Sequence, residues 1–169
     1  GEAGGYSFYK SDWCRVTVAD CSKWTVRSLR NALREAKRWS LDVQRLIDAS
    51  GTVFGYAGQY GRHGGAATFA DCSNFRGSVG VRFAQATTSV SVSMSNVSDV
   101  NGAFQVMMAS ATNATFTLRD SARWSDGSGK WALQQTVDST VVFERLEDFS
   151  GEALHTLGGS APAPRAGYP

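Results

Sequence analysis

The sequence predicts a mainly β protein with one long α-helix: a small β-barrel or sandwich, an amphipathic helix over 25–49, and extended terminal arms. Three observations carry that expectation. Val90, Val92 and Met94 alternate with Ser89, Ser91, Ser93 and Ser95, the period of two shown by a strand with one dry face. Val26, Leu29, Leu33, Ala36, Val43 and Ile47 recur at the three- and four-residue spacing of one helical stripe, with Ser40 the single polar interruption. Gly 18 against Pro 3, with serine, threonine and alanine plentiful, suits a turn-rich β protein.

In chain order, residues 1–5 form a lead-in, and Arg15-Val16-Thr17-Val18 alternates as a strand. Asp20-Cys21-Ser22 offers side-chain oxygens to the free amides of a first helical turn, and Gly51 ends the helix. Trp24 and Trp39 near its ends read as packing anchors. The polar face of that helix is basic: Arg27, Arg30, Arg34, Lys37, Arg38 and Arg45 outnumber Glu35 and Asp42. Such a face either meets an acidic neighbour or is solvated, its long side chains covering apolar surface. The solvated reading is preferred, because the rest of the chain adds no basic cluster and no stacking platform beside it. Between Thr52 and Gly65 glycines recur among Phe54, Tyr56 and Tyr60. A phosphate cradle needs a strand before the glycines and a helix after them, the reverse of this order, so a strand and wide turns with close backbone approach are expected. His63 is a loop histidine without a partner in sequence, and Gly80-Val81-Arg82-Phe83 supplies a further strand.

At Val100-Asn101-Gly102-Ala103 the Asn-Gly pair suits a tight primed turn, so a hairpin is expected there. Its second arm is Phe104, Val106 and Met108, followed by Thr115-Phe116-Thr117-Leu118 and by a Gly-rich turn between Trp124 and Trp131. Residues 137–143 make a last strand, and residues 144–149 a charged exit. Asp138, Glu144, Glu147 and Asp148 read as a solvated sheet edge in preference to paired acids for proton transfer.

The run Asn101-Gly102-x-Phe104-x-Val106, then Thr115-Phe116-Thr117-Leu118, then Gly127-Ser128-Gly129-Lys130-Trp131, resembles the small β-barrel module named after the first catalytic-cysteine half-domain (FCCH) of ubiquitin-activating enzymes. It is closer to the form of that module found in tail and other virion proteins of tailed bacteriophages. The resemblance covers about residues 88–133, with 88–145 as the module inside a single α+β domain, 1–157. It implies a structural barrel with no catalytic residue, no cofactor and no metal, in a virion assembled in the host cytoplasm. The partners implied are copies of the chain and other virion proteins.

Composition bounds the alternatives. At 169 residues the chain can bury a core without staples. A formal charge of +2 makes a nucleic-acid partner for the whole molecule unexpected. Cys14, Cys21 and Cys72 show no metal-ligand spacing and read most simply as reduced thiols, with a bridge between Cys14 and Cys21, or from either to Cys72, the alternative if the fold brings them close. No apolar run approaches bilayer length and no signal-peptide pattern opens the chain, so no membrane partner is expected. Residues 158–169 carry Pro162, Pro164, Arg165 and Tyr168 with almost nothing to bury, and read as an extended arm docked on a neighbouring subunit.

The leading expectation is therefore a phage virion structural protein, a tail, baseplate or fibre subunit assembling as a homo-oligomer. Its candidate contacts are Arg27, Arg30, Arg34, Lys37, Arg38 and the arm. One alternative is a capsid decoration protein. Another is a carbohydrate or host-surface binding module with Tyr56, Tyr60, Trp124 and Trp131 as stacking aromatics. A hydrolase using Cys14, Cys21 or Cys72 with His63 or His155 stands third, and requires thiol and imidazole to meet in space.

Overall fold

The computed structural model of the chain describes residues 8–25, 29–80, 82–125, 127–129 and 134–150. They contain no helix. Eight strands follow one another: β1 Arg15–Ala19, β2 Ser22–Trp24, β3 Lys37–Gln44, β4 Ile47–Ser50, β5 Arg62–Arg76, β6 Val90–Asn101, β7 Thr115–Ser125 and β8 Thr140–Phe149. Every pairing is parallel, in the order β1-β3-β5-β6-β7-β8, with β2 on β4 and β4 on β5 alongside. Parallel neighbours require a crossover, and here each crossover is a turn segment that returns the chain one row further on. Arg15, Ser40, Ala66, Ser91, Thr115 and Thr140 thus stand in one row, 25, 26, 25, 24 and 25 residues apart. The architecture is a parallel β-solenoid, in which each rung is stabilised by its two neighbours.

This overturns the expected barrel or sandwich with its helix over 25–49. The apolar spacing in that region is shared between a turn segment, 29–35, and the strands β3 and β4. Leu29, Leu33 and Glu35 have positive φ, which no right-handed helix contains. The backbone groups there bond across rows instead of four residues back: the Tyr56 amide donates to the Arg30 carbonyl at 2.6 Å, Gly58 to Ala32 at 3.2 Å, and Glu35 to Gln59 at 2.8 Å. Leu33, Ala36 and Val43 are buried, but Ile47 is 47% exposed. Gly51, at φ 82°, turns a corner of the solenoid and caps no helix.

The hairpin at Asn101-Gly102 is also overturned. Gly102 takes φ 67°, but the chain then enters the turn segment 105–110, and β7 returns parallel to β6. The alternation of Phe104, Val106 and Met108 is not a strand, and of the strand expected at 80–83 the described residues Gly80, Arg82 and Phe83 are turn, Val81 lying outside the described residues. The strands expected at 15–18, 90–94 and 115–118 are present within β1, β6 and β7. The last strand is displaced: β8 starts at Thr140 and takes in the expected charged exit, while Val137 makes only an isolated bridge to Thr112.

Turn segments face strands across one core. Phe69 of β5 meets turn residues Phe104, Phe83 and Phe54 with ring centroids 5.3, 5.6 and 5.8 Å away. Each such side chain, fully buried, contributes about 1.5–3 kcal/mol of transfer free energy. Three of the glycines between 55 and 65 make room for Trp39, which is buried: a Cβ at Gly58, Gly61 or Gly65 would lie 2.3–2.5 Å from its ring. Close backbone approach was the expected use of these glycines. Rung length varies at a corner, where the extra residue of the 26-residue turn sits at His63-Gly64 and the β3–β5 register shifts between Lys37 and Trp39. Gly64 takes φ +96° there, and a Cβ on it would lie 3.6 Å from the Ser89 carbonyl oxygen, an ordinary van der Waals contact.

Two further corners carry ladders of polar side chains. Asp20, Arg45, Asp71, Asn96, Asp120 and Arg145 succeed one another in one row, and Lys23, Asp48, Asn74, Asp99, Arg123 and Asp148 in the other, all at positive φ. That conformation suits Asp and Asn best among residues with a side chain, and costs the others about 1–2 kcal/mol each. Cross-row bonds hold it. Arg45 donates to both oxygens of Asp20 at 2.5 and 2.8 Å, Arg123 to Asp99 at 2.6 and 2.8 Å, and Arg145 to Asp120. Asn96 donates to Asp71 at 2.8 Å, and Asn74 to Asp48. In both ladders an asparagine separates two aspartates, so like charges never stand in adjacent rows.

Candidate functional site

The solenoid register brings together residues that lie far apart in sequence. Arg30 and Arg34 sit on the turn segment of one rung, Tyr56 and Tyr60 on that of the next, and Arg82 on the one after. The guanidinium carbons of Arg30, Arg34 and Arg82 lie 5.0, 6.0 and 6.0 Å from the Tyr56 ring centroid, and Arg34 lies 5.6 Å from that of Tyr60. These are cation–π distances. Among the described residues none of the three arginines has a carboxylate partner. Glu35, close in sequence, is engaged by Lys10 at 3.7 Å and accepts the Tyr9 hydroxyl at 3.0 Å. The Nε atoms of Arg30 and Arg34 are buried without a hydrogen-bond partner. A hydrogen bond from Arg30 holds the Tyr56 phenol below its ordinary value of 10.0, burial opposes this, and the charges of Arg30, Arg82 and Arg34 reinforce it. The environment favours negative charge. Tyr60 completes the patch with a ring 44% exposed.

The other expected contacts separate from this patch. Lys37 is exposed, and Arg38 is bonded to both oxygens of Asp12 at 3.2 and 2.7 Å and covers the Trp13 ring at 4.6 Å. Trp124 is no platform: it is buried, stacks on Phe149 at 5.6 Å and donates its Nε1–H to the Val97 carbonyl at 3.0 Å. Arg27, Trp131, His155, Pro162, Pro164, Arg165 and Tyr168 lie outside the described residues.

The thiols work inside the scaffold. Cys21 and Cys72 each donate to the carbonyl two residues back, Ala19 and Ala70, at 3.2 Å, and buried Ser121 does the same to Arg119 at 2.8 Å. Burial pushes the Cys72 thiol above its ordinary 9.0, the opposite of nucleophile activation. Cys14 and His63 line one open cleft of about 590 Å³ with Trp13, Arg38, Gly64 and Gly65. They stand two rows apart, about 10 Å at strand spacing, and among the described residues no hydrogen bond joins them; the Cys14 thiol donates to the Asp12 carbonyl at 3.9 Å. The acids of the charged exit are spread along β8, where Glu144 pairs with Arg119 at 3.1 Å. Among the described residues no cluster of His, Cys, Asp or Glu is arranged to hold a metal ion, and no helix is long and apolar enough to cross a membrane.

Fold and patch together define a solenoid carrying a cationic, aromatic surface site. No protein-family model, curated protein or solved structure matches the chain.

Proposed function

We propose that the chain is a non-catalytic binding solenoid whose arginine–tyrosine patch holds an acidic carbohydrate, one bearing carboxylate or sulfate groups. The observation that carries this reading is the set of three guanidinium groups around Tyr56 with no carboxylate beside them among the described residues. Guanidinium forks match carboxylate and sulfate oxygens two at a time. Tyr60 offers a ring to one sugar face. A single open ring suits a glycan better than a single-stranded nucleic acid, which stacks successive bases on successive platforms. Titration of the chain against uronate-containing, sulfated and neutral oligosaccharides tests this, with an acidic peptide and an oligonucleotide as further arms. Binding confined to the acidic sugars and lost in Arg34→Ala supports the reading. Binding of the neutral sugars alone, or tighter binding of peptide or oligonucleotide, removes it.

A second reading, a subunit of a tailed-phage particle, is what the module resemblance implies. The observation favouring it is that among the described residues both end strands of the sheet lack a second neighbour, as suits an assembly of copies. Detection of the chain at fixed copy number in purified virions is the corresponding test, and its absence from them ends that reading.

A further inference from the structure

The ends of the solenoid are unfinished in matching ways. Among the described residues β1 pairs only with β3 and β8 only with β7, so each presents an open parallel edge. Most inward side chains of both end rungs are only partly buried, Val16, Cys21 and Trp24 at one end, where Val18 is the buried exception, and Val141, Phe143, Leu146 and Phe149 at the other. Four of the six large hydrophobics exposed among the described residues also lie at the ends, Phe8, Tyr9 and Trp13 at the first and Val137 at the last. Open edges of this kind associate unless something covers them.

We propose that the β8 edge of one copy docks on the β1 edge of a second copy, head to tail, continuing the solenoid across the junction. Charge complementarity selects this occupant. With the second copy placed one rung further on, the corner ladders keep their alternation: Arg145 faces the copy's Asp20, and Asp148 faces the copy's Lys23. Arg45 shows the same arrangement within one chain, bonded to Asp20 on one side and attracted by Asp71 on the other. The remaining rows are compatible. Val141, Phe143, Leu146 and Phe149 meet Val16, Val18, Cys21 and Trp24, while Glu144 meets Ala19 and Glu147 meets Ser22.

The ends also interlock as steps. At the first end residues 9–14 lie over 34–39, on the turn side, so a seated copy lays them against residues 134–139 while β1 covers β8. Val137, 53% exposed, then lies opposite Asp12. A contact between two different faces that carries each copy onward along the solenoid axis does not close into a ring, so copies add in series. The proposal does not rest on the glycan reading, since none of the residues it pairs across the junction belongs to the patch.

Sedimentation velocity of the full 169-residue chain over a concentration series tests it. The expected result is a growing series of oligomers, weakened by salt. Asp148→Lys and Lys23→Asp each raise the concentration for half-assembly by about tenfold or more, and the double variant restores it. Val137→Glu, at an exposed position facing Asp12 of the next copy, weakens assembly while circular dichroism shows an unchanged thermal transition. A chain that stays monomeric throughout, a species that stops at a dimer, or oligomers indifferent to these substitutions would overturn the proposal.

Discussion

At the two corners beside the strands, every arginine stands against a carboxylate one row away. On the turn side, Arg30, Arg34 and Arg82 gather around one phenol ring with no such partner among the described residues. Both arrangements use the same repeat of rows at strand spacing. In the first, the row offset neutralises charge and fixes residues in a left-handed conformation that most side chains avoid. In the second, the offset concentrates charge, which costs the free protein like-charge repulsion and leaves two buried donors unbonded. A solenoid can therefore place paired charge where its backbone needs support and unpaired charge where a ligand is to be met.

Both regions hang on the core, so the largest effect comes from removing it. Phe69→Ala takes away a ring in contact with Phe54, Phe75, Phe83 and Phe104, and is expected to cost about 3–5 kcal/mol in denaturant unfolding. Ladder and patch should be lost together. Next, Arg30→Ala with Arg34→Ala should weaken binding of an acidic oligosaccharide by about tenfold or more while leaving Tm unchanged or slightly higher. A clear fall in Tm would mean that the patch belongs to the scaffold.

Asp99→Asn should act in the opposite sense, lowering Tm by about 2–4 °C at neutral pH and leaving glycan affinity unchanged. Arg123 holds the Asp99 carboxyl below its ordinary 3.8, so its contribution is present above that value and is lost as pH falls through the lower folded one. The Tm difference between variant and parent should accordingly close below pH 3.8. The smallest effect is spectroscopic. Tyr56 should ionise below 10.0 in a 295 nm absorbance titration and move up in Arg30→Ala, whose side chain is the main cause of the lowering.

Strands whose alternation is local were legible in the sequence: Arg15-Val16-Thr17-Val18, Val90 with Val92 and Met94, and Thr115-Phe116-Thr117-Leu118. The solenoid was not, because the partner of each strand lies about 25 residues away and each crossover mimics helical spacing. Leu29, Leu33 and Ala36 fall three and four apart because a turn segment also sends alternate bends inward. A signal was present in Ala19-Asp20-Cys21-Ser22 and Ala70-Asp71-Cys72-Ser73, 51 residues or two rungs apart, each followed after one residue by an aromatic, Trp24 or Phe75. Gly51, Gly77 and Gly102 mark the single rung, 26 and 25 residues apart. Of the patch, Arg30 and Arg34 were visible as one set and Tyr56 and Tyr60 as another. Arg82 stood out in neither, and only the row register joins them.

The bulge at His63-Gly64 shows how this chain accommodates editing. One rung is a residue longer than its neighbours, yet Trp39 and Gly65 resume the register. A short peptide grafted between His63 and Gly64 would project from the rim and leave the strands aligned. One residue added inside β6 would reverse which side chains face inward for the rest of that strand.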